Sequence, residues 1–158
     1  MGYWGWIVVA KGDESLAAHP AVAAFGGEVL AEYAMGEWRE IWLDEGSAEH
    51  SSPEVSGLVA ATGAPALAIY VADEDCAVMD AAAPSGAEWT GVFAEERARE
   101  YQALPAGYRR ADAVAGALAW AAEAGLMADR AGVERALAEG WYSDLLEAFG
   151  IPERIEVE

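Results

Sequence analysis

Thiols, imidazoles and ammonium groups are scarce in this chain: Cys76 is the only cysteine, His19 and His50 are the only histidines, and Lys11 is the only lysine among 158 residues. A single cysteine excludes an intrachain disulfide and any zinc site built on several converging thiolates. The histidines stand 31 positions apart, without a partner four residues along a helix, so the zincin pattern fails. Lys11 sits in Ala-Lys-Gly without the glycine spacing of a P-loop, and no G-x-G-x-x-G occurs, so both common phosphate cradles are missing. The nearest approach to a nucleophile elbow, Ala83-Pro84-Ser85-Gly86-Ala87, lacks the glycines that let that strained turn form.

Positive charge is in short supply altogether. Nine Lys and Arg face 28 Asp and Glu, a formal net charge of −19. Nucleic-acid binders displace condensed counterions with Lys and Arg, so an RNA or DNA partner is not expected. The closest cationic pairs, Arg97 with Arg99 and Arg109 with Arg110, are too small for such a footprint. The first pair is also neutralised by Glu95, Glu96 and Glu100 around it. Acidity of this degree favours solubility and steers a basic partner inward at low salt, although a compositional bias or a saline habitat produces the same balance.

No long hydrophobic run survives inspection either. The 18 uncharged residues from Val55 to Ala72 approach the length of a membrane span, but Gly63-Ala64-Pro65 divides them into a helix end and a strand start. The first residues lack a cationic region, and their apolar run ends at Lys11, so they do not read as a signal peptide. A soluble, cytoplasmic protein without membrane contact is expected.

What is present is apolar and aromatic. Hydrophobic residues make up 54% of the chain, and 7 Trp, 6 Tyr and 3 Phe set it apart from acidic disordered chains. A single domain over 1–158 with a self-sufficient core is predicted: a strand–helix part over 1–93, a helical part over 94–150, and an acidic tail over 151–158. Tyr3 to Ala10 reads as a buried strand. Val22, Phe25, Val29 and Tyr33 recur at helical spacing after Pro20, predicting one helix, or two split at Gly26-Gly27, closed by Gly36. Glu37 to Asp44 mixes aromatic, β-branched and charged residues as an exposed or edge strand does. After a polar turn over Glu45 to Ser51, Ser52-Pro53 opens a helix that ends at Gly63. Residues 66–93 alternate as a three-strand meander with turns at Asp73-Glu74-Asp75 and Pro84-Ser85-Gly86. Helices follow over 94–102, 112–124, 129–140 and 143–149, with Asp112, Asp129 and Ser143 as N-caps. The last residues form an edge strand or a frayed end. The fold class is α+β: a mixed, mostly antiparallel five-stranded sheet in β-α-β-α-β-β-β order, followed by helices.

Two features bear on function. Asp73, Glu74 and Asp75 form an acidic hairpin tip. An EF-hand reading fails because Ala77 and Val78 stand where an oxygen ligand and a glycine are required, which leaves a plain turn or a partner-facing tip. Trp4 and Trp6 share a strand face, as do Trp38 and Trp42. If the two strands are neighbours, the four indoles form one continuous surface or line a ligand pocket, unless they are spent on the core. Cys76 follows three acids, which disfavour its thiolate, and His19 and His50 read as surface residues. Neither a metal nor a cofactor is implied. Three functions follow: a non-catalytic protein of inhibitor, immunity or adaptor type that binds a basic protein through Asp73, Glu74 and Asp75; a binder of a small, preferably cationic ligand at Trp4, Trp6, Trp38 and Trp42; and a small enzyme using carboxylates with a histidine. A monomer and a homodimer are both compatible with the sequence.

Overall fold

The computed structural model of the protein describes residues 2–44 and 55–157. The elements run β1 (Gly5–Lys11), α1 (Pro20–Ala23), β2 (Val29–Met35), β3 (Trp38–Asp44), α2 (Ser56–Thr62), β4 (Ala66–Ala72), β5 (Cys76–Ala82), β6 (Glu88–Phe93), α3 (Glu95–Glu100), α4 (Arg110–Glu123), α5 (Arg130–Glu139), α6 (Tyr142–Ala148) and β7 (Ile155–Glu156). The fold is α+β, with an antiparallel sheet and several helices. The sheet has seven strands in the order β6-β5-β4-β1-β3-β2-β7, not five, and every pairing among the described residues is antiparallel rather than mixed.

The extra strands come from β2 and β7. Only Pro20–Ala23 of the predicted long helix is helical, and it is started by His19, whose Nδ1 accepts the Ala21 N–H at 3.0 Å. Gly26, at φ 84°, ends it, and the chain continues as an extended strand. The spacing of Val22, Phe25, Val29 and Tyr33 is compatible with a helix. Yet Ala31, Tyr33 and Met35 also alternate with Glu32 and Ala34, and pairing with β3 selects the second pattern. Gly36, at φ 64°, and Glu37 make the two-residue turn between the paired Met35 and Trp38. The predicted turn over Glu45 to Ser51 and the Ser52-Pro53 helix start lie outside the described residues.

Register assigns every side chain to a face. Ile7 lies opposite Trp42 and Ile69, and Val9 opposite Glu40 and Leu67, so these residues share one face. On that face α4, α5 and α6 pack with Trp38, Met79, Phe93, Trp120, Leu145 and Phe149 in a single cluster. The other face carries Val8, Ala10, Ile41 and Leu43 beneath α1 and α2, and Cys76 and Val92 against Ala98 of α3. β1 is thus buried on both sides, which accounts for its unbroken Ile7-Val8-Val9-Ala10 run, fully buried throughout. Gly116 of α4 lies on Trp89 so closely that an added Cβ would clash with the tryptophan's Cβ and the first carbon of its indole. Two predicted caps move: Asp112 lies in the first turn of α4, and Ser143 lies inside α6. The α6 start is capped instead by the Asp144 carboxylate, which accepts the Trp141 N–H at 2.8 Å.

Candidate functional site

Alternation along β3 sends Trp38, Glu40 and Trp42 to the helix-covered face. Trp38 closes into the core at 2% exposure, and Glu40 is buried with it at 1%, whereas Trp42 stays half-buried at the open end. A buried carboxylate needs a partner, and Glu40 has two. Its Oε2 accepts from Arg154 Nη1 at 2.9 Å and from the Trp42 indole N–H at 3.0 Å. The guanidinium lies 4.9 Å from the ring centre of Tyr33 and 5.6 Å from that of Trp42. These distances suit cation–π attraction. Arg154 therefore sits over two ring faces with a carboxylate beneath it, while 47% of its side chain remains exposed.

Two phenols complete the surroundings. Tyr142, at the start of α6, is buried beside the ion pair. Burial pushes its pKa up, the Glu40 charge adds to this, and Arg154 opposes it. The Tyr3 ring lies 5.0 Å from Trp42, with its hydroxyl aimed at the carbonyls of Trp6, at 2.9 Å, and Leu43. Its pKa is likewise raised, first by burial. Both rings are neutral at physiological pH; the Tyr3 hydroxyl donates to those carbonyls, whereas the Tyr142 phenol oxygen accepts from Arg154. Arg154 lines two cavities. One, of about 320 Å³, is lined by Tyr3, Ile7, Trp42, Val71, Glu74 and Trp141, and the other, of about 400 Å³, by Met35, Glu40, Leu146, Ile151 and Pro152. A larger groove of about 530 Å³ between α5 and α6 is lined by Asp129, Arg135, Glu139, Asp144 and Glu147, without an aromatic wall.

The residues singled out from sequence divide between this site and the rest of the molecule. β1 and β3 are neighbours, but the four indoles do not form one surface. Trp6 pairs with Leu43 and packs on Phe25 and Tyr70 across the sheet from Trp38 and Trp42, because the pairing offsets the two strands by one residue. Trp38 is spent on the core against Trp120. Trp4 precedes β1 and meets Tyr101 edge-on at 5.9 Å. Asp73 accepts from the Gly2 N–H and Asp75 from the Tyr101 hydroxyl, each at 2.6 Å, while Glu74 is exposed and faces the smaller cavity. The acidic turn and the Tyr3–Trp42 pocket thus belong to one rim. Tyr101's pKa is pushed up to about 12, mainly by that hydrogen bond to Asp75. Cys76 is buried, and burial, more than the neighbouring Asp75, raises its thiol pKa. His50 lies outside the described residues.

Sequence reasoning passed over Glu40 and Arg154. Glu40 stood two residues from both Trp38 and Trp42, and the same alternation that paired the indoles places it between them. Arg154 carried no local signal, being one cation among Glu153 and Glu156. Among the described residues no three His, Cys, Asp or Glu side chains converge as metal ligands do, and no helix is long and apolar enough to cross a membrane. No protein-family model, curated protein or solved structure matches the chain.

Proposed function

We propose that this is a non-catalytic binding protein that takes a basic protein partner at the aromatic, acidic end of its sheet. The observation that carries this reading is the seat of Arg154: two ring faces and a buried carboxylate already accommodate a guanidinium there. The surrounding rim extends the complementarity, since Glu74 lines the adjoining cavity and Trp4 stands beside the Asp73–Asp75 turn. A net charge of −19 supplies long-range attraction for a cationic partner and speeds encounter. A cytoplasmic setting fits a chain whose one cysteine has no partner in the sequence.

The test is a titration of intrinsic Trp fluorescence with an arginine-rich peptide, its lysine counterpart and an acidic control, each at low and high salt. The expected result is binding of the arginine peptide ahead of the lysine one, since the planar guanidinium stacks and pairs in two directions. Affinity falls as salt rises. Trp42→Ala weakens it by about tenfold or more, the cost of removing an aromatic anchor. Failure of both basic peptides to bind at low salt overturns the proposal. The cavity beside Trp42, at about 320 Å³, is large enough for a small ligand, and a blocked arginine monomer in the same titration separates that reading from the peptide one.

A further inference from the structure

The position of Arg154 in the chain says more than its contacts do. It lies one residue before β7, which covers the β2 edge of the sheet with two paired residues, Tyr33 opposite Glu156 and Ala34 opposite Ile155. One further backbone bond, from the Val157 N–H to the Glu32 carbonyl at 2.9 Å, ends the contact. β2 continues beyond it through Val29 and Leu30, which are 38% and 54% exposed, and Ile155 on the covering strand is 72% exposed. The opposite edge is treated differently, for there the Val92 N–H of β6 donates to the Tyr108 hydroxyl. The β2 edge therefore has a short cover, anchored at its start by Arg154, and an apolar margin, the features of a strand-addition site.

Resting on the basic-partner reading, we infer that the partner is engaged as an extended, arginine-bearing segment that adds antiparallel to β2 in place of residues 153–157, its arginine taking the seat of Arg154. The protein's own segment shows the geometry such a ligand adopts: the arginine head against Glu40, Tyr33 and Trp42, and the following residues in register with β2. Displacement trades one guanidinium for another, so Glu40 is never left buried without a counter-charge, the costly state for a carboxylate at 1% exposure. A partner longer than 153–157 gains the reach of β2 toward Leu30, beyond the residues that β7 pairs. A basic one also sheds the repulsion that Glu153 and Glu156 bring to an acidic surface.

The experiment uses the full chain and a synthetic heptapeptide, Ile-Pro-Lys-Arg-Ile-Lys-Val, which is the 151–157 segment with its glutamates replaced by lysine. Its binding to wild type, Arg154→Ala and Val157→Pro is followed by calorimetry, with folding checked by circular dichroism. The covering segment competes in wild type, so apparent affinity is reduced by the open fraction. Arg154→Ala is expected to bind at least about tenfold more tightly. Val157→Pro, which loosens the cover while leaving Glu40 its partner, moves the same way and decides the matter if Arg154→Ala does not fold. Replacing the peptide's arginine by alanine, or N-methylating its last valine, costs about tenfold each if both the seat and the strand pairing are used. Equal affinities for all three proteins, or for the arginine and alanine peptides, overturn the inference while leaving the basic-partner reading standing. Absence of binding to any of them removes both. A wild-type dimer that Val157→Pro dissolves also overturns it, since the occupant is then a second copy of this chain.

Discussion

Two aromatic clusters lie on the same face of the sheet and do different things. In the first, Trp38 packs on Trp120 at 5.7 Å and Trp120 on Phe149 at 5.2 Å, all buried, with Lys11 Nζ 5.4 Å above the Trp38 ring. In the second, Trp42 meets Tyr3 at 5.0 Å and Tyr33 at 6.4 Å, all half-buried, with Arg154 above. Both pair a cation with indoles, and the difference lies in what satisfies the polar atoms. The Trp120 N–H ends on the Ala82 carbonyl, and Lys11 reaches the Ala124 carbonyl at the end of α4. Those partners are backbone groups, set once the chain folds. The Trp42 N–H and Arg154 both end on one side-chain carboxylate, that of Glu40. Burial against helices makes an aromatic cluster a core; an open end with an ionised floor makes it a seat.

The largest expected effect probes the first cluster. Trp120→Ala should cost about 3–5 kcal/mol in a denaturant titration, since it empties a fully packed site and strips the Ala82 carbonyl of its donor. Trp42→Ala should cost less than half as much. Equal losses would erase the distinction between core and seat. The second effect is an asymmetry within the ion pair. Arg154→Ala leaves Glu40 buried with only the Trp42 N–H and should cost about 1–3 kcal/mol, whereas Glu40→Gln releases a half-exposed guanidinium to water and should cost about 1 kcal/mol or less. The reverse order in thermal melts would show that the cation, not the carboxylate, is the partner whose loss is tolerated.

The third concerns the rim. Tyr101's folded-state pKa of about 12 lies above the ordinary tyrosine value near 10, so its contact with Asp75 holds below pH ~10 and is lost as pH rises through about 12. Alkaline difference absorbance of wild type against Tyr101→Phe should show one tyrosine titrating late, and a Trp4 emission shift over the same range would locate it at the rim. The smallest effect is a rate: the buried, raised-pKa thiol of Cys76 should react with a disulfide reagent far more slowly at neutral pH than a free thiol does, and at a normal rate once the chain is denatured.

Legibility followed the range of the interactions involved. The meander was readable as three strands, because alternation and short turns act between neighbours in sequence, although its middle strand, read over 76–79, runs on to Ala82. The helices after residue 94 were readable for the same reason, with their starts displaced by a residue or two. β2 was not, since its spacing suits a helix as well as a strand and only pairing with β3 decides between them. The indole faces depended on a one-residue offset between β1 and β3, which no local pattern contains. The ion pair joins positions 40 and 154, 114 residues apart and beyond the reach of any local pattern.

By itself, then, the sequence determined what near neighbours determine: an acidic α+β chain, its meander and the helices after residue 94, a buried first strand and a poor thiol. The tertiary structure decided which tryptophans became core and which became wall, that β2 is a strand, and that a buried glutamate sits under an arginine. Those outcomes rest on strand register and long-range closure. Because side chains alternate along a strand, a shift of one residue moves a whole set from one face of the sheet to the other.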